Sequence, residues 1–304
     1  MKTYIIGSGA IGKALAVALQ LQGKDVALIR GSIDNVAAHT ETIQVIQEDG
    51  QIQEATVLVS TIGNFGELDG LIVLANKSYG NEALARKLKG KTRASPLVIL
   101  QNGLGVEQPF IKENYPEIYR CVLFVTGQTL AEGGVRFKPV AACPVGIVKG
   151  NVATLQRIIE QLSGSYLLFS EEAQIETVVW KKTIINSVFN SVCPLLETDN
   201  GIFHRNPAAL GIAERIVLEC LVIAREKGIL LEAEDVLRQL LQISKSSDGQ
   251  LISTLQDIRN KRQTEIGTLN LEIARIARSL NMEAAVKETS LLGELTKLKS
   301  ELSI

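Results

Sequence analysis

The six residues Gly7-Ser8-Gly9-Ala10-Ile11-Gly12 constrain this chain more than any other stretch. The apolar run at 3–6 before them reads as a buried strand. An Ala- and Leu-rich segment follows to about Gln22 and reads as a helix stopped by Gly23. Residues 25–29 form the next apolar run, so the glycines occupy the first turn of a β-α-β unit. Gly7 permits the tight turn, Gly9 lets the backbone approach a pyrophosphate, and Gly12 lets helix and strand pack closely. The helix N-terminus adds unpaired amides and the positive end of its dipole. This order predicts a dinucleotide site built from Gly7, Ser8, Gly9, Ala10, Ile11 and Gly12.

The second strand ends in Arg30-Gly31-Ser32. An NAD site commonly carries Asp or Glu near here for the ribose 2′-hydroxyl. A guanidinium instead suits a 2′-phosphate by its charge and forked donors, and Ser32 adds a hydroxyl. Arg30 therefore predicts NADPH over NADH; the alternative is a surface arginine at a strand end. Residues 43–47 and 51–60 read as strands around Asp49-Gly50, a favoured two-residue hairpin turn, which makes 42–60 an antiparallel excursion. Buried parallel strands resume at 71–75 and 96–100. Lys77 follows the first and Asn102 the second, at carboxyl ends where open α/β sheets bind ligands. A solvated lysine and a plain Asn-Gly turn are the alternatives. A helix at 81–88, strands at 121–126, 134–138 and 145–149, a helix at 152–162 and a strand at 166–169 complete this half.

Beyond residue 170 the strand signals stop. Helical periodicity runs through 171–193, 207–227, 233–245, 250–262, 265–280 and 287–301, punctuated by Pro194, Gly201, Pro207 and Gly249. The predicted fold is α/β plus all-α: a Rossmann-type dinucleotide-binding domain at 1–169, then a helical substrate domain at 170–304. A net charge of −1 leaves no electrostatic footprint for nucleic acid or an acidic membrane. No apolar run approaches the roughly 20 residues of a spanning helix. Cys121, Cys143, Cys193 and Cys220 lack metal-like spacing and read as reduced packing residues of a cytoplasmic protein. With only two histidines, His39 and His204, a multi-histidine metal site is excluded. A lysine or a carboxylate is left to move any proton.

The first segment of the helical half carries the candidate chemistry. Lys182, Asn186 and Asn190 are four residues apart and share a helix face. Ile184, Ile185, Val188, Phe189 and Val192 lie opposite, while Thr183, Ser187 and Ser191 join the polar side. Solvated faces are normally built from Glu, Lys, Gln and Ala, because Asn, Ser and Thr cost helix propensity. The face is thus either an ordinary wet stripe or a row of hydrogen-bonding groups aimed at a ligand. Lys182 borders the asparagines, whereas Lys181 sits about 100° back among Ile184, Val188 and Val192. Further on, Thr264 reads as a helix cap and Glu265 as a first-turn acid.

Several of these pieces together resemble one family. They are the glycine motif at 7–12, Lys77 in Lys77-Ser78-Tyr79, and Gln101-Asn102-Gly103-Leu104-Gly105. To them add Trp180-x-Lys182 with Asn186 and Asn190, Asn200-Gly201, and Ser253-x-x-Gln256-Asp257 with Thr264-Glu265. In order and spacing they are similar to 2-dehydropantoate 2-reductase (ketopantoate reductase) over nearly the whole chain. The resemblance implies NADPH-dependent reduction of ketopantoate to D-pantoate, on the route to pantothenate and coenzyme A. It implies Lys182 as the general acid, and Lys182, Asn186, Asn190, Asn200 and Ser253 as substrate contacts. Arg30, Lys77, Asn102 and Glu265 would line the cofactor. Gly267 stands where the family usually has Asp, Gln250 where Asn is frequent, and Ser191 in place of a common Pro. Residues 126–138 and 282–286 also lack the usual pattern. The departure at 282–286 touches only the periphery; the others bear on the substrate rather than the reaction type, so another branched 2-keto acid is an alternative. A β-hydroxyacid dehydrogenase and a non-catalytic NADPH-binding regulator are the further rivals. The expected partner is a small 2-keto acid, with no nucleic acid, membrane or metal, and a homodimer is left open.

Overall fold

The computed structural model describes every residue except Ser32, Asn35, Ala131, Glu132 and Ser165. Chain order runs β1 (Thr3–Ile6), α1 (Ala10–Leu21), β2 (Val26–Arg30), β3 (His39–Ile46), β4 (Ile52–Thr61), β5 (Leu71–Leu74), α2 (Asn81–Lys89), β6 (Leu97–Ile99) and α3 (Gln108–Lys112). Next come β7 (Ile118–Cys121), β8 (Val125–Thr129), β9 (Val135–Pro139), β10 (Cys143–Lys149), α4 (Val152–Leu162) and β11 (Phe169–Glu171). The helices α5 (Ile175–Leu196), α6 (Ile202–Arg205), α7 (Pro207–Glu226), α8 (Ala233–Ser246), α9 (Ser253–Arg259), α10 (Asn270–Ser279) and α11 (Lys287–Ser303) follow. The chain divides into two compact units, one of Met1–Gln101 with Val106–Ile175, the other of Asn102–Gly105 with Glu176–Ile304.

In the first unit one sheet has the order β11-β10-β7-β6-β5-β1-β2-β4-β3-β9-β8. Its six central strands, from β7 to β4, all run parallel. They are apolar at consecutive positions because both faces are covered. Ile5, Leu28, Val73 and Val98 face the core that holds α1 and α4. Tyr4, Ile29, Ile72 and Ile99 face the core that holds α2 and α3. Strand order reverses between β1 and β5, so their carboxyl ends open a crevice at the switch point.

Several sequence expectations shift here. Segment 42–60 is not a separate antiparallel excursion, since β4 pairs parallel with β2 and antiparallel only with β3. Its turn is longer than two residues: the Gln47 amide donates to the Gln51 carbonyl at 2.9 Å, and Gly50 takes φ 83° between them. A glycine in that left-handed position closes a three-residue hairpin loop. The strand expected at 121–126 is two strands, because the chain leaves the sheet after Cys121 and rejoins at its opposite edge as β8. There β8 and β9 pair as a hairpin, so the strand expected at 134–138 forms as β9 and gains a partner in Val125–Thr129. The last strand begins at Phe169 rather than 166, since Tyr166 turns inward and donates its hydroxyl to the Ala14 carbonyl at 2.8 Å.

The second unit is helical, with α5 buried along most of its circumference. Pro194 does not end it: α5 runs to Leu196 and stops at Glu197, whose φ is 53°. A proline there withdraws only its own N–H from the ladder, and the last-turn carbonyls lack helical donors in any case. Lys299 supplies one, donating to the Pro194 carbonyl at 2.8 Å. The helix expected over 250–262 is shorter, for Ile252 is extended and α9 starts at Ser253. The one expected from 265 starts at Asn270, after a 3₁₀ turn at Ile266–Thr268. Thr264 and Glu265 therefore precede that turn instead of capping a helix. Between them the described residues hold no helix long and apolar enough to cross a membrane.

Candidate active site

The glycine turn shows which of its residues the fold itself demands. A Cβ on Gly7, at φ 123°, would strike the backbone of Ala75 and Asn76. One on Gly12 would strike the Gly7 carbonyl oxygen. One on Gly9 would meet nothing within 4 Å. Two glycines are thus fixed by packing, and the middle one faces open space. The α1 N-terminus beside it has no side-chain cap and no acid in its first turn. Unpaired amides with nothing competing for them suit an anion, so the cradle fits a dinucleotide pyrophosphate.

Around the switch point the same unit gathers further groups. Lys77 immediately precedes a 3₁₀ turn after β5. Next to it Asn76 donates from Nδ2 to the Lys77 carbonyl at 2.8 Å, and its buried Oδ1 finds no hydrogen-bond partner. Gln101 bridges the ends of β5 and β6, donating to the Asn76 carbonyl at 2.9 Å and to Asn81 Oδ1 at 2.8 Å. Sequence reading missed this amide network, whose only signal was polar residues at strand ends. It also missed Glu41, which accepts from Lys13 at 2.8 Å and lies 3.9 Å from the Arg30 guanidinium. Arg30 therefore belongs to a group of two cations and one carboxylate, and Ser32 lies outside the described residues. A separate cleft of about 540 Å³ lies at the amino ends of the strands, between Lys2, Asp69, Arg93 and Arg157. In a parallel sheet that is the end away from ligands.

In the second unit α5 puts Lys182 and Asn186 half-buried on one face, and Asn190 one turn further in, only 3% exposed. Asn190 is engaged at both ends of its amide. Nδ2 donates to the Asn186 carbonyl at 3.0 Å, and Oδ1 accepts from Thr254 Oγ1 at 2.7 Å and Ser253 Oγ at 3.3 Å. It thereby ties the start of α9 to α5 and brings Ser253 to the asparagine row. The hydroxyls once placed on this polar side do not share its exposure. Thr183, Ser187 and Ser191 are buried, and Ser191 donates to the Ser187 carbonyl at 2.7 Å. Small side chains serve there because α5 is enclosed, which a single-helix pattern could not reveal. Lys181 is half-buried like Lys182, so facing, not burial, separates the two.

Asn200 sits in the turn between α5 and α6, 7% exposed. Its amide donates to the Gln250 carbonyl at 2.9 Å, and its side-chain Oδ1 is buried with no hydrogen-bond partner. Asn102 and Glu265 come together through Thr268, whose Oγ1 lies 3.4 Å from the Asn102 carbonyl and 3.1 Å from the Glu265 carbonyl. The Leu104 amide also donates to the Thr268 carbonyl, at 2.9 Å. This backbone match explains Gly103, at φ 93°, where a Cβ would run into Thr268. Lys182, Asn186, Asn190, Asn200, Ser253, Asn102 and Glu265 thus lie in one unit, and the glycine cradle, Arg30 and Lys77 in the other. No group of acids, histidines and cysteines that could hold a metal occurs among the described residues.

Residues 3–149 match the family described as ketopantoate reductase PanE/ApbA, and residues 174–297 match its C-terminal part. The chain belongs to the ketopantoate reductase family. As a ketopantoate reductase family member it is an oxidoreductase, as the sequence resemblance implied. A 2-dehydropantoate 2-reductase of Pyrococcus horikoshii is 30% identical over 304 residues, 99% of this chain and 98% of that one. The relative from Halobacterium salinarum is 25% identical, covering 98% of both chains. Among solved structures, a dimeric ketopantoate reductase from Staphylococcus aureus superposes with a TM-score of 0.82 at 19% identity, over 100% of both chains. A D-mandelate dehydrogenase described with NADH and anilino(oxo)acetate superposes at 0.85 with 23% identity, covering 100% of this chain and 99% of that one. These likenesses establish the Rossmann-plus-helical fold of the family.

Proposed function

We propose that this chain reduces ketopantoate to D-pantoate with NADPH, a step towards pantothenate and coenzyme A in the cytoplasm. The observation that carries the reading is the row on α5, where Lys182 and Asn186 lead to an Asn190 that holds Ser253 beside them. Family membership supplies the substrate class. On this reading residues 1–169 form the NADP-binding domain and 170–304 the helical domain that carries the substrate contacts and the catalytic lysine.

Gly7, Ser8, Gly9, Ala10, Ile11 and Gly12 would cradle the pyrophosphate, Arg30 the 2′-phosphate, and Lys77, Asn102 and Glu265 the remainder of the cofactor. With a reduced nicotinamide bound there, the chemistry supplied would be hydride donation to the ketone carbon. Lys182 places its ammonium at the carbonyl oxygen, where negative charge develops, and gives that oxygen a proton. The substrate gains one hydride and one proton and leaves as the 2-hydroxy acid. Asn186, Asn190, Asn200 and Ser253 hold carboxylate and hydroxyl with neutral dipoles, which orient the substrate without adding charge beside the lysine.

An oxidation assay with NADPH and NADH over ketopantoate, 2-ketoisovalerate and other 2-keto acids tests this. Ketopantoate with NADPH should give the highest kcat/KM. Arg30→Ala should raise the KM for NADPH roughly 10- to 100-fold, the worth of a lost charge-assisted hydrogen bond, and leave that for NADH nearly unchanged. Ketopantoate turning over no better than 2-ketoisovalerate would move the substrate to another branched 2-keto acid. An unchanged KM for NADPH in the variant would remove Arg30 from the cofactor site. NADPH binding without turnover of any keto acid would make the chain a sensor.

The homodimer rests on the surface of α11. That helix turns small residues inward, with Thr289, Gly293, Thr296 and Ser300 buried. Leu291, Leu295, Leu298 and Leu302 stay exposed at spacings of four, three and four, the seam of a paired helix. The Staphylococcus aureus relative is described as dimeric. Sedimentation should give a dimer that Leu295→Glu converts to monomer; a monomeric wild type would end the idea.

A further inference from the structure

A cluster outside the expected site residues lies beside Asn200. Arg205, at the end of α6, donates from Nη2 to both Asp199 oxygens at 2.8 Å and from Nη1 to Asp248. Asp199 Oδ1 in turn accepts the Gly201 amide at 2.7 Å and the Gly249 amide at 3.3 Å. Hydrogen bonding to Arg205 holds the Asp199 carboxyl below its ordinary range. One guanidinium therefore joins the two sides of a gap, the turn after α5 and the loop after α8.

Asn200 lies inside that joint. Its amide donates to Gln250, within the same loop, and its carbonyl accepts Ser244 Oγ at 2.8 Å. Ser244 Oγ also accepts the His204 amide at 3.2 Å. Both backbone groups of Asn200 are thus fixed to α8 and the loop that follows it. The Asp248 carboxylate and the Arg205 guanidinium lie against Gly201, in the space a Cβ there would take, so any side chain at 201 would push the ion pair aside. Three residues beyond Gln250 the chain enters α9 and presents Ser253 to Asn190.

We propose that Arg205 is a positioning residue for substrate: with Asp199 and Asp248 it locks the Asn200 turn to the loop that leads to Ser253. The inference rests on the reading above that Asn200 and Ser253 touch the 2-keto acid. Two features separate this role from general stabilisation. The side chains of Arg205 and Asp248 are 43% and 42% exposed, and ion pairs that wet add little to folding. The Asn200 Oδ1 has no hydrogen-bond partner although it is buried, which suits an acceptor kept for a donor on a ligand.

The experiment compares wild type, Arg205→Met, Arg205→Lys and Asp248→Asn by steady-state kinetics and by amide hydrogen exchange of the ligand-free protein. In Arg205→Met the KM for the 2-keto acid should rise about tenfold, the loss of one hydrogen bond's alignment. The kcat and the KM for NADPH should stay within about twofold. Exchange should quicken about tenfold or more at residues 199–201 and 249–250, and not in α7 or α11. Arg205→Lys should recover part of both effects, and Asp248→Asn should show a smaller version. Unchanged exchange would overturn the lock. Faster exchange with an unchanged substrate KM, or with KM for NADPH rising equally, would overturn the positioning role. A wild type that turns over no 2-keto acid would overturn the substrate reading and the role resting on it, leaving the lock to be judged by exchange alone.

Discussion

Lys182→Met is expected to lower kcat by about a thousandfold, with the KM for NADPH unchanged. The size follows from what the ammonium supplies. Proton transfer from a placed group contributes about 10²–10⁴ in rate, and a donor aimed at developing oxyanion charge contributes on a similar scale. The two are one group here, so their effects do not multiply. Methionine keeps the length of the stem that a half-buried lysine packs on α5. The fold should survive, and a thermal midpoint within a few degrees of wild type is the control. Lys181→Met should leave kcat close to wild type, because that side chain follows the face of Ile184 and Val188, both buried. Asn186→Ala should raise the KM for the keto acid more than it lowers kcat. A Lys182→Met enzyme with wild-type kcat would remove the proton donor from the reading. Equal losses in both lysine variants would mean that packing of the helix start, not chemistry, had been measured.

How much of this was legible follows from the range of each interaction. The cradle was readable because its parts adjoin in sequence: apolar run, three glycines, helix. The α5 face was readable for the same reason, since one helix carries Lys182, Asn186 and Asn190. What periodicity could not supply was depth. Ser187 and Ser191 share the polar side by angle, yet they are buried, because other helices of the unit enclose α5. Glu265 had no local signal at all. Its place beside the Asn102 turn depends on Thr268 bonding across 166 residues of chain. Glu41 near Arg30 and Asp248 on Arg205 are likewise products of tertiary pairing. Strand ends drifted where side chains took other work, as Tyr166 does with Ala14. The family resemblance singled out Glu265 because a resemblance carries tertiary information that residue patterns lack.

Gly9 and Gly12 should fail in opposite ways, and the contrast tests the cradle more sharply than either variant alone. Gly9 has φ −78° and ψ −174°, a backbone open to any residue, and its added Cβ meets nothing within 4 Å. Gly9→Ala should therefore fold with unchanged stability. Its methyl would occupy the space a pyrophosphate needs, displacing at least one charge-assisted hydrogen bond worth about 1.5–3 kcal/mol. The Kd for NADPH should rise roughly 10- to 100-fold, and thermal stabilisation by the cofactor should shrink with it. Gly12→Ala meets a different obstacle, since its methyl is driven into the Gly7 carbonyl where α1 crosses β1. Overpacking against backbone costs about 3 kcal/mol, which for a unit of this size lowers the melting midpoint by roughly 6–12 °C. The measurement is a melting curve for each variant with and without NADPH. Loss of cofactor stabilisation in a Gly9→Ala protein that melts like wild type would tie the open space to the ligand. Full NADPH affinity in that protein would mean the dinucleotide lies elsewhere, whatever the glycine spacing suggests.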